Sequence, residues 1–95
     1  MACETPVVAS AVGGIPEVVV PGETGILIDP HLMPRTFEPA DPAAFSRDLA
    51  AAINQVVAHP SLGRRFGVNG RRRVEELFSW DAIAERTLEL YRLLL

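Results

Sequence analysis

Lysine is missing from this chain altogether, and all nine basic residues are arginines. That excludes a Schiff-base lysine, a P-loop lysine and a Ser-Lys nucleophile pair, although an arginine-only composition is also what a GC-rich genome produces. Cysteine is scarce as well. Cys3 alone allows no internal disulfide and no multi-thiolate metal site, and with no evident basic partner its thiol is no nucleophile candidate. No apolar run approaches the ~20 residues that span a bilayer. Met1-Ala2-Cys3-Glu4-Thr5-Pro6 lacks the basic start and apolar stretch of a signal peptide. The expectation is a cytoplasmic protein with no membrane partner. Positive charge is in deficit: the net charge of -3 argues against a nucleic-acid partner, because phosphate neutralisation needs a surplus of basic residues. His31 and His59 each adjoin a proline and share no metal-ligand spacing.

What is present fits one small globular domain: 95 residues, 48% hydrophobic and 22% charged. Composition changes near Pro30. Pro6-Val7-Val8-Ala9-Ser10 reads as a short buried strand, and Ala11-Val12-Gly13-Gly14 as a flexible turn. Pro16 and Glu17 suit the first turn of a short helix, where proline loses nothing and a carboxylate meets the positive helix end. Val20-Pro21-Gly22-Glu23 is a second turn, and Thr24 to Ile28 a second strand stopped by Asp29-Pro30. The separation of the strands favours a parallel crossover over a hairpin. Residues 31–40, with Pro34 and Pro39 and following Pro30, form a loop.

Helices follow. Asp41-Pro42 has the chemistry of a helix start, and Phe45, Leu49, Ile53 and Val57 recur every four residues to about Ala58, before His59-Pro60. Ser61 to Leu77 has helical spacing, weakened by Gly63, Gly67 and Gly70, each worth up to ~1 kcal/mol relative to alanine. Ser79 caps the last helix, in which Ile83, Thr87, Leu88, Tyr91 and Leu95 are expected to form a buried stripe. The fold class is therefore α/β: a partial Rossmann-like domain with two short parallel strands followed by three C-terminal helices. Residues 1–30 carry the strand-loop-strand core and 41–95 the helical part. Two parallel strands alone leave edges and faces that demand cover.

The run Met1 to Ser10, then Gly13-Gly14-Ile15-Pro16-Glu17-Val18-Val19 and Pro21-Gly22-Glu23-Thr24-Gly25-Ile26-Leu27, resembles a stretch common to retaining GT-B glycosyltransferases. That group includes bacterial glycogen synthases, sucrose-type synthases and glycosyltransferases of cell-wall and small-thiol pathways. Asp41-Pro42-Ala43-Ala44-Phe45 and Phe78-Ser79-Trp80 match its closing pattern, so the resemblance covers almost the whole chain. Residues 31–40 match least. The linked order of these segments is far more specific than a lone Gly-Gly.

The resemblance implies two Rossmann-like domains facing a cleft, with the nucleotide-sugar donor held mainly by the C-terminal one. This chain corresponds to the second part of that domain, a C-terminal fragment. It implies transfer of a hexosyl unit, specifically glucosyl as in glycogen or glucan synthases, from ADP-glucose or UDP-glucose to a glycan or sugar acceptor with retention. No cofactor and no metal are implied. Two glutamates of the family's donor site, and the basic pair at the donor diphosphate, align ahead of Met1. Retaining transfer rests on preorganised charge at the departing diphosphate and the oxocarbenium-like sugar, so the fragment alone is expected to be inactive, and no catalytic residue is assigned in it.

Gly13, Gly14 and Glu17 are the candidate donor-binding residues. They follow the carboxyl end of the first strand, where open α/β sheets bind ligands. A tight turn would equally require the glycines, and a first-turn carboxylate also serves the helix dipole. Thr24 and Gly25 read as turn residues. Arg64, Arg65 and Arg71-Arg72-Arg73 read as a solvated helix face rather than a phosphate grip, and Trp80 and Tyr91 as core rather than a sugar-stacking platform. The alternative function is a catalytically inactive structural or interaction module, for which a homo-oligomer or domain swap is expected because exposed edges and faces must be covered.

Overall fold

The computed structural model describes all residues, 1–95. Its elements are β1 (Val7–Ser10), α1 (Ile15–Val18), β2 (Gly25–Ile28), α2 (Pro42–Ala58), α3 (Pro60–Arg73), a π turn (Val74–Phe78) and α4 (Trp80–Leu94). β1 and β2 pair in parallel, with Val7 opposite Gly25 and Ser10 opposite Ile28. The ladder runs one bond further, from the Ala11 N–H to the Ile28 carbonyl at 2.8 Å. The α/β fragment expected from the sequence is the one observed. Neither strand has a second neighbour, so β1 is half-buried along its length rather than buried.

The turn between α1 and β2 is chemically determined. Pro21 and Gly22 occupy its centre, Gly22 has φ +77°, and the Glu23 N–H donates to the Val20 carbonyl at 3.1 Å. This is the type II arrangement that proline followed by glycine favours. Thr24 is only 3% exposed, and its hydroxyl accepts from the Val20 N–H at 2.9 Å. Thr24→Val keeps the shape but orphans that N–H. It is expected to cost about 1–3 kcal/mol in urea unfolding, whereas Thr24→Ser should cost less than half as much.

The helix starts follow local chemistry. The Asp41 carboxylate accepts from the Ala44 N–H at 3.0 Å, and the Ser79 hydroxyl accepts from the Ala82 N–H at 3.1 Å. The apolar face of α2 differs from the four-residue reading. Ile53 and Val57 are exposed, while Ala52 is buried and Phe45, Leu49 and Val56 are half-buried. A helix turns about 100° per residue, so a strict period of four drifts roughly 40° per step and puts Val57 about 120° from Phe45. Ala52 and Val56 return to within about 20° of Phe45, and these are the positions that face inward.

The second helix region is also different in kind. Pro60 opens α3 rather than closing α2, and the helix passes into a π turn at Val74. Its three glycines do not weaken an exposed helix: all are buried, one above another, against the segment Met1–Pro6. Gly67 lies under the Glu4 backbone, so that a Cβ there would be 2.8 Å from the Glu4 carbonyl carbon. Gly25 is the first residue of β2 rather than part of the turn, and a Cβ on it would meet the Val7 backbone and Val19 at 3.1 Å. Phe66 (2% exposed), Val19 and Ala52 form the small core around which these contacts gather.

The expected buried stripe of α4 is not buried. No residue of that helix is buried, and Trp80, Ile83, Leu88, Tyr91 and Leu95 are all exposed. Trp80 and Tyr91 are therefore not core residues. The physical reason is geometric: α4 leaves the π turn, where Arg86 donates back to the Leu77 carbonyl, and no other element runs alongside it. The molecule is accordingly a thin slab of 52 × 39 × 15 Å with a radius of gyration of 16.6 Å, against about 12 Å for a compact domain of this length. Its accessible surface is 6872 Å², against about 5,400 Å² for a folded monomer of this mass. No helix is long and apolar enough to cross a membrane.

Candidate donor-binding turn

The residues singled out by the sequence lie on one turn at the carboxyl end of the sheet. β1 ends at Ser10, the Val12 N–H donates to the Ser10 carbonyl, and the Ile15 N–H donates to the Val12 carbonyl at 3.2 Å. Between those bonds Gly13 and Gly14 are exposed, and neither N–H is hydrogen-bonded within the chain. Glu17 follows in the single turn of α1, exposed, with its own N–H donated to the Gly14 carbonyl at 3.1 Å. Because β1 and β2 are parallel, the same end of the sheet also carries Asp29 and His31. The Asp29 carboxylate accepts from the His31 N–H at 2.8 Å.

The two glycines are required for different reasons. Gly13 has φ +55°, a backbone region in which other residues are strained, so the turn itself explains it. Gly14 has φ −83°, and a Cβ built there would meet nothing within 4 Å. It is the one glycine of the chain with neither a left-handed φ nor any atom within 4 Å of a built Cβ. As the residue before α1 it also forgoes the side-chain cap that serine or aspartate would provide.

Sequence reasoning missed a long-range tie at the carboxyl end of α1. Arg73, assigned to a solvated face, donates through Nε to the Val18 carbonyl at 2.9 Å and through a terminal nitrogen to the Glu17 carbonyl at 2.8 Å. Arg71 likewise donates to the Ala2 carbonyl at 3.1 Å and pairs with Glu75. Two of the three consecutive arginines are thus tied to backbone carbonyls. Arg72 and Arg73 both line a polar cleft of about 400 Å³ with Glu23, Asn69 and Glu76, beside Val20 and Thr24. The signal that could have exposed the packed face of α3 was the spacing of Gly63, Gly67 and Gly70, which places them on one helix face.

The glycine turn thus lies at the carboxyl end of the parallel pair, the end at which open α/β sheets bind ligands. The family described as "Glycosyl transferases group 1" matches residues 1–73, and the chain belongs to that family. Over 92 residues it is 51% identical to the alpha-maltose-1-phosphate synthase of Mycolicibacterium smegmatis, a match that covers 97% of this chain and 22% of that protein. It is 40% identical over 90 residues to a D-inositol 3-phosphate glycosyltransferase of Thermomonospora curvata, covering 95% of this chain and 18% of that protein. Among solved structures, a sucrose-phosphate synthase from Thermosynechococcus elongatus superposes with a TM-score of 0.73 at 45% identity, covering 98% of this chain and 20% of that one. The chain thus spans about a fifth of the length of the proteins it matches.

Proposed function

We propose that this chain forms part of the donor-binding domain of a retaining hexosyltransferase, with Gly13, Gly14 and Glu17 beside a nucleoside diphosphate sugar. The observation that carries the reading is Gly14, a glycine that the fold itself does not need. A ligand lying against the backbone would need it, since any side chain there would stand between the amides and the donor. The free N–H groups of Gly13 and Gly14 suit anionic or hydroxyl oxygens, and the Glu17 carboxylate suits a ribose or sugar hydroxyl.

Glucosyl transfer is supported by the maltose in the name of one relative, and ADP-glucose or UDP-glucose is the donor that this reading calls for. The names of three relatives also include a phosphorylated sugar or polyol, which favours a phosphorylated sugar over a glucan as acceptor. The chain alone is inactive in this reading. Two of the Arg73 donors are directed to carbonyls of α1, and the charges that would stabilise a departing diphosphate are those the family resemblance places ahead of Met1.

The test is calorimetric titration of the chain with ADP-glucose and UDP-glucose, with its mass measured in the same buffer. Saturable binding of one donor without turnover is expected. A folded sample blind to both donors would refute a donor site carried by this chain alone. One observation favours the alternative of an inactive oligomeric module: α4 buries none of its residues. A tight dimer indifferent to both nucleotides would establish that alternative.

A further inference from the structure

We propose that Arg73, backed by Phe78, is a positioning residue for the glycine turn and Glu17. The inference rests on the donor reading above and names a residue far away in sequence that would make the site competent. It starts from the instability of α1. A helix of four residues cannot sustain itself, because nucleation fixes several residues for very few bonds. Within α1 the Val19 N–H returns to the Ile15 carbonyl at 2.9 Å, and the carbonyls of Glu17 and Val18 have no backbone N–H partner. Arg73 supplies donors to both, from more than fifty residues away. A guanidinium presents its N–H groups in a rigid planar fork, so two consecutive carbonyls fix its plane and it fixes theirs in return.

The arginine is held from behind. Its guanidinium carbon lies 5.5 Å from the centre of the Phe78 ring, within the range of a cation–π contact. Phe78 ends the π turn that follows α3. A π turn carries an extra residue relative to the α-helical register, and here it is the turn that brings the ring back over the arginine one element earlier. The path is therefore continuous: Phe78 orients Arg73, Arg73 closes the carboxyl end of α1, and α1 carries Glu17 and the Gly13–Gly14 turn at its other end. Nothing in this path requires Arg73 to touch a ligand.

The experiment compares the unaltered chain with Arg73→Met, Arg73→Lys, Phe78→Leu and, as a control, Arg72→Met. Three readouts are taken: donor affinity, thermal midpoint, and hydrogen exchange of the Val19 amide. Arg73→Met is expected to weaken donor binding at least tenfold and to accelerate Val19 exchange by a similar factor. Arg73→Lys, which keeps the charge but loses the fork, should recover part of both. Phe78→Leu should fall between, and Arg72→Met should match the unaltered chain. A purely structural Arg73 would lower the thermal midpoint while leaving affinity unchanged well below it, which would overturn the proposal.

If the unaltered chain binds neither ADP-glucose nor UDP-glucose, the donor reading fails. The Val19 exchange then still decides whether Arg73 holds α1: acceleration in Arg73→Met upholds the clamp, and an unchanged rate removes it. Should Arg73→Met not fold, Arg73→Lys carries the same comparison.

Discussion

Alanine at Gly67 is expected to destabilise this protein by about 3 kcal/mol, the upper part of the usual range for overpacking, while alanine at Gly63 or Gly70 stabilises it. Helix propensity alone predicts one sign for all three, a gain of up to ~1 kcal/mol for replacing a helical glycine. The surroundings split them. At Gly63 the nearest atoms to a new Cβ are side-chain carbons of Val56 at 3.5 Å and Pro6 at 3.7 Å. At Gly70 the nearest is the flexible Met1 side chain at 3.4 Å. Both are ordinary contacts that would bury a methyl group. At Gly67 the obstacle is the Glu4 main chain, which cannot swing aside, and Glu4 already holds φ +59°. Urea unfolding of the three single variants reads the result directly. Equal shifts at all three positions would show that α3 does not lie against Glu4 as described.

The second large effect concerns the glycine turn and the donor site proposed there. Gly14→Leu is expected to abolish binding of ADP-glucose and UDP-glucose, with at least a tenfold loss of affinity, and to leave the thermal midpoint where it was. Stability is spared because the position has an ordinary φ and open space around it. Binding is lost because the side chain would project from the backbone that the donor must approach. Gly13→Ala should behave in the opposite sense, losing stability through its left-handed φ. Titration and melting of the two variants separate the roles. Unchanged affinity in a folded Gly14→Leu chain would remove the glycine turn from the donor site.

These two cases show where the sequence was readable. Caps, turn residues and the parallel pair are encoded within a few residues of where they act, and Asp41, Ser79 and Pro21-Gly22 behave as their chemistry dictates. The glycines of α3 are different. Their meaning depends on Glu4, some sixty residues earlier, so reading them by propensity gave weakness where the structure has close packing. Arg73 failed for the same reason: a charge on a helix face looks solvated until its carbonyl partners on α1 are known. The α4 stripe shows a third kind of limit. Its amphipathic spacing was read correctly as a helix, but periodicity reports which face is apolar and not whether anything lies against it. The turn at Gly13 and Gly14 was legible as a turn because its residues are contiguous.

The groove that receives Met1–Pro6 also sets an order of events during synthesis. β1 can pair as soon as β2 exists, since Val7 lies opposite Gly25. The stretch before it must wait for α3: the bond from Arg71 to the Ala2 carbonyl joins residues 69 apart. At about 5–20 residues per second, translation leaves that stretch without its groove for several seconds after it is made. During that interval the backbone before β1 lacks the donor that Arg71 later provides, which is when a nascent chain is most exposed to contacts with a neighbour on the same message.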